Sequence, residues 1–355
     1  MFIEKIYLNN FRNHENINLE FNKFCPINII IAPNGTGKSN LLEAIYYLSY
    51  LRPFRNVSDA ELIKKGSNSF SLAGKFIKNN ISTDINIKYS KTKEILLNNK
   101  KIKKHSEILG LIITVLFCND DIFIINGNPL LRRRFFDMFI SILDKTYLFA
   151  LKKYQVIIKQ RNYILKNNTN FDMLDVYDFQ LSQCIEYITK KRIEIVQIVS
   201  SLFQQIYQEI GCFKDKTKII FQSSLQSDNK DEILKKLKEL RKKDIENGFT
   251  SFGSHKDSYL FLLNGINFSK YASFGQTRLA SLVLKLAQIE IFEKNLKINP
   301  ILLLDDVVLE LDLERQKRFI SFLSKKTKQM FITITDEEKF NFFNSNKEFI
   351  NKIEL

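Results

Sequence analysis

The chain has 355 residues, 45% of them hydrophobic and five of them proline, which provides for one or two domains with a sizeable core and argues against long disordered linkers. Lysine and arginine total 54 against 39 aspartate and glutamate, and the net charge of +15 favours a polyanionic partner, nucleic acid ahead of a membrane surface. The four cysteines, Cys25, Cys118, Cys184 and Cys212, form no Cys-x-x-Cys pair, no signal-peptide pattern opens the chain and no apolar run could span a bilayer, so zinc sites, disulfide frameworks and membrane proteins are excluded and a cytoplasmic protein is expected.

In chain order, residues 2–8 and 17–21 alternate as paired strands around a polar turn at 9–14. Ile29, Ile30 and Ile31 read as a buried strand that breaks into a glycine-bearing loop, after which Lys38 and Ser39 open a segment with helical spacing. Strand, glycine loop and helix carrying Lys-Ser is the phosphate-cradling arrangement of P-loop proteins. The loop is Ala32-Pro33-Asn34-Gly35-Thr36-Gly37-Lys38-Ser39, followed by Asn40, and it departs from G-x-x-x-x-G-K-[ST] at Ala32. That position ends the strand, where extended backbone tolerates a methyl group. Glycines turn backbone N–H groups toward phosphates, Lys38 would reach the β- and γ-phosphates, and Ser39 would ligate Mg²⁺.

Residues 70–97 alternate again as an antiparallel meander, with Ile81, Thr83, Ile85 and Ile87 on one face and a turn at 98–101. Residues 111–117 form a β-branched run with the look of a central strand. Beyond Asp120 the pattern is helical over 129–166, 176–210 and the charged stretch 231–246, which ends near Gly248, and no strand is expected there. Strand signals resume at 259–263 before a hairpin-like Asn264-Gly265; a helix over 276–293, a strand over 300–305, a last strand over 330–335 and a polar tail follow. This is an α/β nucleotide-binding core split by a helical insertion.

Two further elements carry chemistry. Ile301-Leu302-Leu303-Leu304 delivers Asp305 and Asp306 at a strand's carboxyl end, where parallel sheets bind ligands. Asp305 would hold Mg²⁺ and Asp306 would polarise the attacking water. Ser273-Phe274-Gly275-Gln276 places a hydroxyl and free N–H groups at a helix N-terminus. Each element has a plainer reading: a glycine turn, a buried strand meeting an acidic turn, and an ordinary N-cap. Their order, completed by Glu310-Leu311-Asp312, resembles that of ABC-type ATPases.

Further segments narrow the resemblance to the RecF family, the recombination and repair branch of the SMC-like ABC ATPases. Leu8-Asn9-Asn10-Phe11-Arg12-Asn13 is similar to the family's opening element, and the helix after the P-loop and the Arg55 to Asp59 segment also match. Gly127 to Asp137, Tyr154, Lys159-Gln160-Arg161-Asn162 and Gly253-Ser254-His255-Lys256-Asp257 resemble later family motifs.

The resemblance implies an ABC-ATPase-like (P-loop NTPase) head with a mixed sheet, over 1–117 and 253–355, split by a mostly helical lobe over 118–252. It implies an ATP-dependent homodimer in which Ser273, Gly275 and Gln276 act in trans, Arg12 sits near the phosphates and Asp312 lies across the dimer seam. Closure would clamp DNA for recombinational repair and replication maintenance, and a weak, DNA-stimulated ATPase using Mg²⁺ would release it. RecO and RecR are implied as partners.

Several residues depart from the family pattern: Ala32, Asn119, Lys256, Phe274 and Leu309. Thr333 and Thr335 stand where transporter ATPases place a histidine, which points to slow hydrolysis. His14 and His105 are expected at the surface, and His255 suits either a structural role or one near phosphates or DNA. DNA contact is assigned to Arg132, Arg133 and Arg134, with the 231–243 helix as a second candidate. An SMC-like structural head, a P-loop kinase and a transporter motor remain as alternative readings.

Overall fold

The computed structural model describes all residues except 56, 168, 212–213, 225–228, 308–311, 327 and 336–349, together with the side chains of His105 and Leu313. Leu309, Glu310 and Cys212 therefore lie outside the described residues. The chain divides into two compact units, Met1–Asn119 with Ile289–Leu355, and Asp120–Gln288.

The first unit opens with β1 (Phe2–Phe11), β2 (His14–Glu20) and β3 (Ile27–Ile31), then α1 (Lys38–Tyr50). β4 (Phe70–Lys78), β5 (Ile81–Tyr89), β6 (Lys93–Leu97), β7 (Lys100–Lys101) and β8 (Thr114–Phe117) follow. The inserted unit contains α2 (Ile122–Asn126), α3 (Pro129–Leu143), α4 (Lys145–Asn167), α5 (Leu174–Ile210), β9 (Thr217–Gln222), α6 (Lys230–Glu239), α7 (Arg241–Asn247), β10 (Ser258–Leu263), β11 (Ile266–Asn267) and α8 (Phe268–Tyr271). α9 (Phe274–Leu296) crosses the boundary, and β12 (Ile301–Leu304), α10 (Leu313–Lys326), β13 (Met330–Ile334) and β14 (Ile350–Glu354) complete the first unit.

Parallel and antiparallel strands of the first unit sort into two sheets. The antiparallel sheet runs β2-β1-β4-β5-β6-β7 and the parallel one β14-β3-β13-β12-β8. β8, β12 and β13 are buried along their whole length, as parallel strands covered on both faces must be. β8 ends this sheet rather than sitting at its centre. Two-residue turns at Asn98-Asn99 and Asn264-Gly265, both residues of each with positive φ, close hairpins where the sequence places them. β14 forms where the sequence shows only a polar tail, because its two isoleucines stand three positions apart and give no alternation to signal a strand.

In the second unit, α5 runs 37 residues, roughly 55 Å at the helical rise. Its buried stripe includes Ile188, Ile195, Val199 and Ile206. β9 is a strand where none was expected: it pairs antiparallel with β10, and Phe221 meets Tyr259, which stacks on Phe136 of α3. The charged helix breaks at Leu240 into α6 and α7, and Gly248 (φ 71°) ends it. Contacts place the boundary at 288, inside α9, where the sequence suggested 252, because β10 pairs with β9 and holds the intervening chain in the inserted unit.

Candidate functional site

The loop after β3 begins at Ala32, which is buried and keeps its φ negative, so the methyl group costs no backbone strain. Gly35 (φ 86°) and Gly37 (φ 108°) take the left-handed turns that aim N–H groups into the loop. A Cβ on Gly37 would collide with the side chains of Asn13 and His14. Lys38, 4% exposed, donates through Nζ to the carbonyls of Ala32 (2.6 Å) and Pro33 (3.1 Å). No acidic group pairs with it among the described residues.

β13 lies between β3 and β12, so the carboxyl end of β12 comes beside the loop. The Ser39 hydroxyl donates to Asp305 Oδ1 at 2.7 Å across 266 positions of sequence. Thr333 of β13 reaches Oδ1 of Asp305 (3.2 Å) and of Asp306 (3.3 Å), and its hydroxyl accepts the Asp306 N–H at 2.9 Å. Burial pushes the Asp305 carboxyl above the ordinary carboxylate range, and the neighbouring Asp306 charge adds to it. Asp306 itself holds φ 55°, a strained conformation of the kind found at functional sites.

A cleft of about 200 Å³ is lined by Asn34, Gly35, Gly37, Lys38, Ser39, Asn40, Arg55 and Asp306. One cation held only by neutral carbonyls, a turn of N–H donors and two adjoining carboxylates fit a phosphate chain with a divalent cation.

Arg55, which lies in a matched segment, joins the cleft without any motif that marks it as a phosphate ligand. Its Nη1 donates to Asn40 Oδ1 (2.9 Å) and stands 3.7 Å from Glu43 Oε2. Glu43 is fully buried on α1 and accepts from Arg12 Nε at 2.7 Å. Arg12 does not line the cleft; with φ 55° at the β1–β2 turn it braces Glu43 and the Glu61 carbonyl. The same turn supports the loop. Asn13 Nδ2 donates to Thr36 O (2.7 Å) and its Oδ1 accepts from Asn40 Nδ2 (2.8 Å). His14 corrects the surface expectation: it is buried and donates through Nε2 to Gly37 O at 3.0 Å, and burial lowers its pKa.

The remaining candidates lie elsewhere. Ser273 and Gln276 form a reciprocal cap at the start of α9: the Gln276 N–H donates to Ser273 Oγ (3.2 Å) and the Ser273 N–H to Gln276 Oε1 (2.9 Å). Gly275 faces open space, and Asp312 is exposed and accepts the Arg315 N–H.

Arg132 is a correction as a DNA contact: it is buried, and its Nη1 donates to the Ile125 and Gly127 carbonyls at the end of α2. Arg133 donates to the Asp257 carbonyl (2.8 Å), and Arg134 alone of the three is exposed. Consecutive helix positions point about 100° apart, so a run of three cannot form one basic face. His255 is structural, accepting from the Tyr154 hydroxyl at Nδ1 and donating to Thr250 O at Nε2.

In the inserted unit the matched residues Asp137, Arg161 and Asp257 enter ion pairs with Arg192, Asp178 and Asp244, which lie outside the matched motifs. Arg192 pairs with Asp257 (2.6 Å) and Asp137 (2.8 Å). Arg161 pairs with Asp178 and Asp244, both at 2.8 Å.

The family model described as "RecF/RecN/SMC N terminal domain" matches residues 2–352. A Clostridium perfringens protein described as "DNA replication and repair protein RecF" is 37% identical over 344 residues, covering 95% of this chain and 94% of that protein. A Leptospira interrogans protein with the same description is 35% identical over 95% of this chain and 93% of its own length. Among solved structures, one described as "Structure of the recombination mediator protein RecF-ATP in RecFOR pathway" has a TM-score of 0.88 at 34% identity, over 95% of this chain and 94% of that one. An SMC head bound to the C-terminal winged-helix domain of ScpA shares the fold, with a TM-score of 0.55 at 16% identity. With the fold, the family model and the relatives in agreement, the chain belongs to the RecF family.

Proposed function

We propose that this protein is an ATP-dependent DNA-binding ATPase of recombinational repair and replication maintenance. The observation that carries the reading is the Ser39–Asp305 contact at 2.7 Å, which joins the glycine loop to the acid pair. Lys38 exchanges its two carbonyl partners for the β- and γ-phosphates, and the Gly35 to Ser39 N–H groups complete the cradle. Ser39 and Asp305 would hold Mg²⁺, which would supply positive charge against the phosphates. Asp306, kept in place by Thr333, orients the attacking water, and Arg55 adds a guanidinium to the cleft.

The active unit is a homodimer: Ser273, Gly275 and Gln276 of a second copy cap the γ-phosphate, and Asp312 lies at the seam. Support comes from the Ser273 cap, which sits at a helix N-terminus with Gly275 open to solvent. Dimerisation clamps DNA, hydrolysis releases it, and weak DNA-stimulated turnover in the cytoplasm follows. RecO and RecR are the proposed partners, since a structural relative is described within the RecFOR pathway.

The test compares binding of gapped and plain duplex DNA, with and without ATP, at two salt concentrations. ATP should strengthen binding, and Lys38→Ala should abolish the nucleotide effect. An ATP effect that survives Lys38→Ala contradicts the reading.

A further inference from the structure

α4 contains no acidic residue along its 23 positions. One side packs inward through Tyr147, Tyr154, Ile157, Arg161, Ile164 and Leu165. The other leaves large apolar groups in solvent: Phe149 is 70% exposed, Val156 55% and Tyr163 69%. These recur every seven residues, so they fall within about 40° of one another on a straight helix. Lys152, Lys153 and Lys159 share that exposed face, and among the described residues none of the three forms an ion pair.

A solvated helix face ordinarily mixes charges and keeps large aromatics inside. This face keeps one sign of charge and exposes two aromatic rings roughly 21 Å apart along the axis. A protein partner matched to it would need an apolar groove edged with acids, whereas a single nucleic-acid strand supplies both complements at once. Its phosphates answer the lysines and its unpaired bases stack on the rings, each stack tolerant of base identity. The net charge of +15 agrees in sign.

We infer that the Phe149–Lys152–Lys153–Val156–Lys159–Tyr163 face of α4 is a binding surface for single-stranded DNA. At about 3.4 Å per stacked nucleotide the two rings span about six nucleotides. The inference rests on the DNA-binding reading above and gives it a location. The surface lies wholly within the inserted unit, so it needs no nucleotide.

The test is fluorescence anisotropy of the full chain, free of nucleotide, with a labelled thymidine oligonucleotide of about twelve nucleotides, within the range of known single-strand site sizes. Phe149→Ala/Tyr163→Ala should weaken binding at least ~tenfold and leave the melting temperature unchanged, since both rings lie in solvent. Lys152→Gln/Lys153→Gln/Lys159→Gln should reduce the slope of log affinity against log salt by about two, at roughly 0.7 per lost phosphate contact. Lys38→Ala should bind the oligonucleotide as the parent does. Unchanged affinity in both surface variants overturns the inference and leaves the face to a protein partner. Failure of ATP-dependent duplex binding alongside intact nucleotide-free strand binding counts against the function proposed above and not against this surface.

Discussion

In the first unit, Lys38 is buried with two neutral carbonyls for company, and Asp305 and Asp306 share the Thr333 hydroxyl, which also accepts the Asp306 N–H. In the second, Arg161 and Arg192 are buried just as deeply, yet each has two carboxylates within 2.8 Å. The first region arises from motifs that stand out in the sequence, the second joins the matched Asp137, Arg161 and Asp257 to Arg192, Asp178 and Asp244, which carry no signal there, and both concentrate charge. The difference lies in who supplies the counter-charge. A buried ion whose charge is balanced by the chain's own side chains sets the packing of helices and loops. One that faces only dipoles, at the edge of a cleft, is left for a ligand to neutralise.

The largest effect that could break this comparison is on stability. Arg192→Met leaves Asp257 buried and the half-buried Asp137 without their partner, a loss of about 3–5 kcal/mol that should lower the melting temperature by roughly 10 °C in calorimetry. A shift of only a degree or two would mean that the cluster is not structural. Lys38→Ala should do the opposite: nucleotide affinity measured by titration calorimetry falls on the order of a hundredfold, while stability stays within about 1 kcal/mol.

A smaller effect separates the loop from its support. Burial holds the pKa of His14 below the ordinary 6.5, so the unfolded chain takes up this proton first as pH falls. The His14 contribution to stability is therefore full above about pH 6.5 and declines from there toward the lowered folded value. His255 is shifted in the same direction and adds to the decline. His14→Gln retains a donor for Gly37 O without the titration, so its stability should fall less than the parent's between pH 7 and pH 5 in denaturant unfolding. The smallest change expected is from Ser273→Ala, which removes one cap bond and costs about 1 kcal/mol or less of stability.

The elements that define the site were legible because their chemistry is local. Gly35, Gly37, Lys38 and Ser39 are adjacent, and Asp305 and Asp306 follow a run of four aliphatic residues. What spacing could not show was how distant segments pack. His14 sits in a polar turn and reads as solvated; the glycine loop folding against it makes it buried. Arg55 enters the cleft through Asn40 and Glu43, which are 15 and 12 positions away in sequence. The Arg132 to Arg134 run reads as a patch until helix geometry turns Arg132 toward the carbonyls that end α2. Conversely, the exposed face of α4 is visible only once burial shows which side of a lysine-rich helix is left in water.

In the proposed dimer, the cleft of one chain is completed by the Ser273 to Gln276 turn of another. Light scattering of the Asp306→Asn variant, which should bind nucleotide without consuming it, is the most direct measurement. A dimer mass is expected with ATP and Mg²⁺, a monomer mass without them, and a monomer under both conditions once Lys38→Ala is added. A monomer mass for Asp306→Asn at saturating ATP would contradict it.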